Sequence, residues 1–279
     1  MATVVSMTNP LTGAVEQVDR LDHTAQQIDD ATAIALQLSN PNLLDNWYFG
    51  NPVNQRNVSG AIDAVGYFLD RWKLVSGSVT IGSNGITLNG TIAQILETAV
   101  GTDVTASALT TEGVVVASYD NNSKTISLTG TGQTFVAAKL ELGSQQTLAH
   151  QDADGNWVLN EIPNYGEQLA RCQRYFFRLQ LGYGYDVIGA GYANSTTGCR
   201  VPLPVPVPFR TVPSVSSKGT FALFKDAQSS ITATILSVRA KSSLAIPVLE
   251  ISASSATQNG VYVLTSSSSD ANIDLSADL

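Results

Sequence analysis

The sequence predicts a mainly β protein built from a long N-terminal helix, an antiparallel β-sandwich and a second β-rich domain. Charged residues are only 14% of the 279 residues, against about 25% in typical globular domains, while Ser and Thr together number 54 beside 22 Gly. Over most of the chain, apolar residues alternate with these small polar ones in short runs, which is typical of half-buried strands. Residues 14–38 are the one long segment with helical spacing instead.

This N-terminal segment carries apolar side chains at alternating three- and four-residue steps, which is the a/d spacing of a coiled coil. The seam includes alanines and a threonine, so a single helix of this kind would be marginal alone. We therefore predict that the helix self-associates within a segment of residues 1–40; an amphipathic helix docked on the next domain is the alternative. Pro41 ends the helix, because proline disfavours helical backbone at the preceding residue. The seam residues are Leu11, Val18, Leu21, Ala25, Ile28 and Ala35.

The next segment, residues 41–150, changes to a period of two. Apolar positions alternate with Ser, Thr and Gly, and turn signals interrupt the runs at 82–85, 89–90, 120–122 and 130–132. Many short strands at close, regular spacing indicate an antiparallel sandwich.

Residues 151–279 form the second predicted β-rich domain. Near its start, residues 152–156 (DADGN) favour a hairpin turn over a calcium loop, because an EF-hand has its glycine at the sixth position and an acid at the twelfth. A short amphipathic helix is predicted near 165–175. Because proline cannot donate to a ladder, the proline-rich stretch at 201–210 is predicted to be an extended edge strand or polyproline-like chain. Strands are predicted at 220–224, 231–238, 244–251 and 261–264, and the polar tail that follows is expected to fray.

Five short phrases stand out between residues 42 and 213. They are Asn42–Arg56 (NLLDNWYFGNPVNQR), Asp70-Arg71-Trp72, Lys139–Ser144 (KLELGS), Tyr165–Phe176 (YGEQLARCQRYF) and Pro204–Pro213 (PVPVPFRTVP). In this order, they resemble a module common in phage and prophage tail proteins, followed by the C-terminal domain of tail fibres.

The resemblance implies a jelly roll like a carbohydrate-binding module over residues 41–150, and a β-rich tip over residues 151–279. It further implies a homotrimer, with the seam residues as its contacts, and attachment of the N-terminus to another virion structural protein. The expected function is that of a virion protein assembled in the bacterial cytoplasm, a short trimeric tail fibre or receptor-binding protein that adheres to host-surface polysaccharide. Two alternatives stay open: a capsid head fibre or decoration protein without a specific ligand, and a polysaccharide hydrolase on a β-sandwich.

Sugar binding requires aromatic faces that stack on pyranose rings, beside polar groups that bind the hydroxyls. One aromatic group lies in the first phrase, and another lies in the glycine-rich segment 181–198, where a loop would give an adaptable contact surface. Core packing is the alternative for the first group, and a hairpin covering the trimer axis is the alternative for the second. The candidate contacts are Trp47, Tyr48, Tyr183, Tyr185, Asp186, Tyr192, Asn194 and Arg200.

Catalytic chemistry is not indicated by the sequence. With His23 and His150 as the two histidines, a Ser-His-Asp triad would depend on His150, so we predict a non-enzymatic protein. No motif for a cofactor or a metal site is present. Cys172 and Cys199 are compatible with either a bridge or two free thiols.

The charge balance disfavours two classes of partner. A net charge of -8 opposes binding to nucleic acid or to an anionic membrane, and no apolar run reaches the roughly 18 residues of a membrane span. Five of the nine arginines nevertheless lie between residues 171 and 210. This predicted basic belt would meet an anionic glycan or an acidic neighbouring subunit, or its arginines would be solvated or paired across a subunit interface.

Overall fold

The computed structural model describes residues 5–8, 15–18, 39–225, 229–240 and 242–279. These residues are mainly β with one short helix, which confirms the predicted class. Near the N-terminus, β1 (Val5–Thr8) pairs antiparallel with β2 (Val15–Val18). Val18 thus lies in a strand instead of the predicted coiled-coil helix, because a valine-rich segment also suits an extended backbone. The other seam residues, Leu11, Leu21, Ala25, Ile28 and Ala35, lie outside the described residues.

Eight strands form one antiparallel sheet in the first domain (residues 39–159). The order is β3-β5-β6-β10-β7-β8, with β4 paired to β5 and β9 paired to β10. The strands are β3 (Gly60–Ile62), β4 (Gly66–Leu69), β5 (Trp72–Gly82), β6 (Gly85–Ile95), β7 (Val104–Thr110), β8 (Gly113–Val116), β9 (Ser118–Asp120) and β10 (Thr125–Leu142).

The long strand β10 joins the two halves of this sheet. Its first half pairs with β6 and its second half pairs with β7, and the register shifts between Thr131 and Gln133 and again between Phe135 and Ala137. Such bulges bend a strand and increase its twist. All eight strands therefore belong to one bent sheet around a single core. The predicted sandwich would instead consist of two separate sheets.

The first domain ends in a hairpin, and a short helix follows before the second domain begins. The strands β11 (Ala149–Gln151) and β12 (Trp157–Leu159) pair across the predicted domain boundary at residue 150. The Asp152 carboxylate accepts hydrogen bonds from the backbone N–H groups of Asp154 and Asn156, so residues 152–156 form the predicted hairpin turn. These hydrogen bonds lower the pKa of the Asp152 carboxyl. The helix α1 (Tyr165–Gln173) is the one predicted near 165–175.

The second domain (residues 174–279) combines a closed barrel with a small sheet. The barrel has the order β14-β15-β19-β18-β17-β20, and the sheet has the order β13-β21-β16. The strands are β13 (Phe176–Gln180), β14 (Val187–Ala193), β15 (Gly198–Pro202), β16 (Ser214–Lys218), β17 (Phe221–Phe224), β18 (Ser230–Val238), β19 (Val248–Ala253), β20 (Val261–Ser266) and β21 (Asn272–Ser276).

The C-terminal tail is ordered, contrary to the expectation from its composition that it frays. Strand β21 is the central strand of the small sheet, between β13 and β16. Ile273 and Leu275 are completely buried, and they alternate with polar residues as a half-buried strand requires. Cys172 and Cys199 are both buried and free, so the two thiols do not form a bridge.

Candidate functional site

The first two predicted sugar contacts, Trp47 and Tyr48, differ in their exposure to solvent. The Trp47 side chain is only 3% exposed and belongs to the core of the first domain, so its ring offers no face to a ligand. This corrects the prediction in favour of core packing. Tyr48 is half-buried and lines a small hollow together with Ile162 and Tyr165.

The second group forms a firmly held loop at one end of strand β14. The Asp186 carboxylate accepts hydrogen bonds from the N–H groups of Gly182 and Tyr183, at 2.8 and 3.0 Å. Ser266 fixes the loop again, since its hydroxyl donates to the Tyr183 carbonyl and its carbonyl accepts from the Tyr185 N–H. We call residues 182–186 the tyrosine loop.

The two rings of the tyrosine loop point outward in spite of this ordering. Tyr183 is 78% exposed and Tyr185 is 69% exposed. The backbone φ of Tyr185 is 74°, a left-handed conformation that is uncommon for a bulky residue. Asp186 therefore orders the loop and is not a free hydrogen-bonding group for a ligand, whereas the tyrosine rings are available.

The remaining predicted contacts lie at the opposite end of the same strand. Tyr192 lies opposite Arg200 on the neighbouring strand β15. Asn194 lies in the turn that joins β14 to β15, where its backbone N–H donates to the Gly198 carbonyl. Strand β14 runs from Val187 at the tyrosine loop to Tyr192 near its other end, a distance of roughly 17 Å for extended chain. The eight predicted contacts therefore do not form one site.

The predicted basic belt is neutralised within the chain. Its acidic partners come from segments far away in the sequence, which is why the local count of acids does not reveal them. The nearest nitrogen-to-oxygen distances are Arg171–Asp45 3.9 Å, Arg174–Glu97 3.0 Å, Arg178–Asp274 2.6 Å, Arg200–Glu250 3.5 Å and Arg210–Glu97 3.6 Å. These arginines are thus engaged with carboxylates of their own chain.

Residues from four of the five phrases meet where the two domains contact each other. We call this contact the joint; it comprises Asn46, Arg56, Tyr67, Asp70, Arg71, Gln168, Tyr175, Phe176, Arg210 and Asp278. The Asn46 side-chain amide bonds to both backbone groups of Val53 and donates to the Asp70 carbonyl. The backbone N–H of Asn46 donates to the side-chain oxygen of Gln168 on α1. The phrases therefore encode the packing of one domain on the other.

Two buried arginines complete the joint. The Arg71 guanidinium lies 3.5 Å from the centroid of the Tyr175 ring and donates to the Ile95 carbonyl. The Arg56 guanidinium lies 3.9 Å from the Phe176 centroid and pairs with Asp278 at 2.5 Å. The remaining phrase, KLELGS, lies outside the joint and holds a separate buried ion pair.

Asp70 is a buried carboxylate of the joint with a perturbed titration. Its side chain is completely buried and 3.9 Å from Arg56 Nε, and one of its oxygens accepts from the Gln55 N–H. The pKa of Asp70 is raised to about 6, mainly because burial disfavours the charged form. The Gln55 hydrogen bond and Arg56 oppose this rise, while nearby Asp278 adds to it.

We expect the protein to become more stable as the pH falls from 7 to 5. The folded pKa of Asp70 lies above its unfolded value, so the stabilisation is complete below about pH 4 and is lost as the pH rises through 6. The gain in the free energy of unfolding is on the order of 1 kcal/mol between pH 7 and pH 5. Urea denaturation of Asp70→Asn should show a flatter pH profile, while the exposed control Asp63→Asn keeps the wild-type slope. An unchanged slope in Asp70→Asn would contradict this assignment.

A groove that the sequence did not single out lies beside the β11–β12 hairpin. Its volume is about 730 Å³, and its wall includes Trp157, Val158 and Ile162. An adjoining hollow of about 30 Å³ shares Ile162 and is lined by Tyr48 and Tyr165. The signal in the sequence was a tryptophan directly after a turn, but alternation alone does not show that its ring stays exposed.

A second open groove, of about 850 Å³, runs beside the edge strand β8. Its aromatic residue, Tyr119, has its hydroxyl engaged by the Val100 N–H and by Asn121. The remaining lining is mostly small polar residues and valines. This groove therefore offers hydrogen bonds without an aromatic face for stacking.

The described ranges contain no cluster of metal-ligating side chains. His150 shares a hydrogen bond of 2.5 Å with Asn160. Within residues 39–225 and the described parts of 229–279, no three His, Cys, Asp or Glu side chains are placed to hold a metal ion. No helix in the described part of the chain is long and apolar enough to span a membrane.

No protein-family model, no curated protein and no solved structure matches this chain.

Proposed function

We propose that this chain is a virion surface protein, a short trimeric tail fibre or receptor-binding protein that adheres to glycans of the host surface. In this proposal the first domain serves as a carbohydrate-binding module and the second domain is the tip. The N-terminal segment joins three copies and attaches them to another virion structural protein. Light scattering of the intact chain tests the trimer.

The tyrosine loop is the observation that carries the proposal. A loop tied by Asp186 and Ser266 keeps two tyrosine rings in solvent, although burial of such rings would favour folding. Tyrosines held in a fixed arrangement lose little conformational entropy on binding and combine an apolar face with a hydroxyl. Three such loops on one trimer would gain avidity from their effective concentration.

We expect Tyr183→Ala and Tyr185→Ala to weaken glycan binding by at least tenfold each. Each change removes a ring that stacks on a sugar, and loss of aromatic stacking costs on the order of 1 kcal/mol or more. Binding of the intact protein to an array of bacterial surface polysaccharides measures the effect. Tyr192→Ala is the matched control, because it removes an exposed tyrosine at the far end of the same strand.

Other outcomes of this experiment would favour the alternatives. An array without any bound polysaccharide would favour a head fibre or decoration protein. Release of reducing sugars from a bound polysaccharide would favour a hydrolase. Loss of binding in Tyr192→Ala alone would contradict the tyrosine loop as the contact.

A further inference from the structure

The groove beside the β11–β12 hairpin has the form of a ligand site. Strand β12 supplies Trp157 and Val158, the turn after β7 supplies Thr111 and Glu112, and Ile162 closes the end toward α1. A volume of about 730 Å³ falls within the range of small-molecule sites in proteins. The groove lies on the first domain, so it is distinct from the tyrosine loop.

The Trp157 ring packs against the backbone of Gly113. A Cβ atom at Gly113 would lie 2.8 Å from Trp157 Nε1, so any larger residue at position 113 displaces the indole. Gly113 also has a φ of 137°, which other residues rarely adopt. The ring is fixed on one side and 37% exposed, so it presents surface to the groove.

Two further aromatic side chains, Tyr48 and Tyr165, line the hollow that adjoins the groove at Ile162. A Cβ atom at Gly50 would lie 2.7 Å from Cζ of Tyr48, so the tyrosine ring packs directly on the backbone there. Tyr165, the first residue of α1, is 45% exposed and lines the same hollow. Aromatic side chains thus lie at both ends of a path that passes Ile162.

The polar lining indicates an uncharged ligand. The Gln151 and Asn156 side chains each donate within the turn, to the Gly155 carbonyl and to the Asp152 carboxylate, and so offer mainly their amide oxygens. Thr111 offers a hydroxyl. Among the described lining residues, Glu112 is the only charged one, and it repels anions in a protein of net charge -8. Aromatic faces beside amides and hydroxyls suit a ligand with apolar faces and many hydroxyl groups.

We propose that this groove binds a neutral polysaccharide, with one uncharged pyranose ring on Trp157 and the glycan chain continuing past Ile162 toward Tyr165 and Tyr48. The amides of Gln151 and Asn156 bind its hydroxyl groups. The site does not depend on the tyrosine loop, so either site can fail without the other.

The experiment uses the full chain and the fluorescence of its tryptophans. Trp47 and Trp72 are 3% and 0% exposed, so quenching by iodide reports on Trp157. The probes are chitotetraose, cellotetraose and maltotetraose as neutral ligands and tetragalacturonate as the anionic one. We expect at least one neutral tetrasaccharide to protect Trp157 from iodide and to bind in calorimetry, whereas tetragalacturonate does not bind.

Variants separate this site from the adhesion proposed above. Trp157→Ala should weaken binding of the neutral tetrasaccharide at least tenfold, while Trp157→Phe, which keeps an aromatic face, loses less. Val65→Ala, which changes a 72% exposed apolar side chain outside the groove and outside the tyrosine loop, is the matched control and should leave this binding unchanged. Folding of each variant is checked by its unfolding transition in urea.

Four results would overturn the proposal. The first two are that none of the three neutral tetrasaccharides protects Trp157, or that their binding persists in Trp157→Ala. The other two are that tetragalacturonate binds more tightly than the neutral sugars, or that Trp157→Ala loses self-association while no sugar binds the protein. The last result would show that the groove is an interface between copies of the chain.

Discussion

Arg71→Ala is expected to lower the free energy of unfolding by about 3–5 kcal/mol, the typical cost of removing one partner from a buried ion pair. The Arg71 side chain is only 1% exposed. It donates to Asp45 at 3.1 Å and to the Ile95 carbonyl at 2.6 Å, and its guanidinium stacks on Tyr175. The alanine variant loses these interactions together and leaves a cavity in the joint. Urea denaturation at pH 7 measures the change.

The chain offers a matched control for this variant. Arg171 approaches the same carboxylate, at 3.9 Å, but its side chain is 52% exposed. Solvent screens such a pair, so Arg171→Ala should cost less than about 1 kcal/mol. Equal losses in the two variants would contradict the idea that burial in the joint determines the contribution of Arg71.

Lys139→Met is expected to cost about 3–5 kcal/mol for a related reason. Lys139 and Glu141 are both completely buried and lie 3.7 Å apart, and burial lowers the pKa of Lys139. The lysine also donates to the Ser39 hydroxyl at 2.6 Å. Its removal leaves the Glu141 carboxylate buried without its nearest cation. Urea denaturation again gives the loss.

The double variant Lys139→Met/Glu141→Gln should recover most of this loss. Glutamine keeps the oxygen that accepts from the Thr147 N–H but carries no charge, and replacing both members of a buried pair is often nearly neutral. The double variant therefore distinguishes an uncompensated charge from a simple packing defect. A double variant as unstable as Lys139→Met alone would indicate a packing defect.

Much of the local structure was predictable from the sequence. The strand runs at 220–224, 231–238 and 261–264 correspond to β17, β18 and β20, and α1 begins where the capping residue Asn164 precedes its first turn. The turn at residues 152–156 followed from its Asp and Gly residues. Each of these features depends on neighbouring residues, so the sequence pattern records it directly.

The C-terminal tail shows where a local pattern was present but outweighed by composition. Residues 271–277 alternate apolar and polar side chains, yet the serine-rich stretch before them suggested fraying. Pairing on both sides, with β13 and β16, places Ile273 and Leu275 in the core. A strand with two partners buries more of its surface than its composition alone indicates.

The mainly β class, the short helix and the hairpin turn follow from the sequence pattern alone. What those residues do depends on tertiary packing, because contacts such as Arg71 with Tyr175 or Arg174 with Glu97 join segments about 80 to 100 residues apart. Long-range packing buried Trp47, exposed Trp157 and paired the arginines with distant acids. Exposure and charge compensation are properties of the folded surface, and a one-dimensional pattern does not contain them.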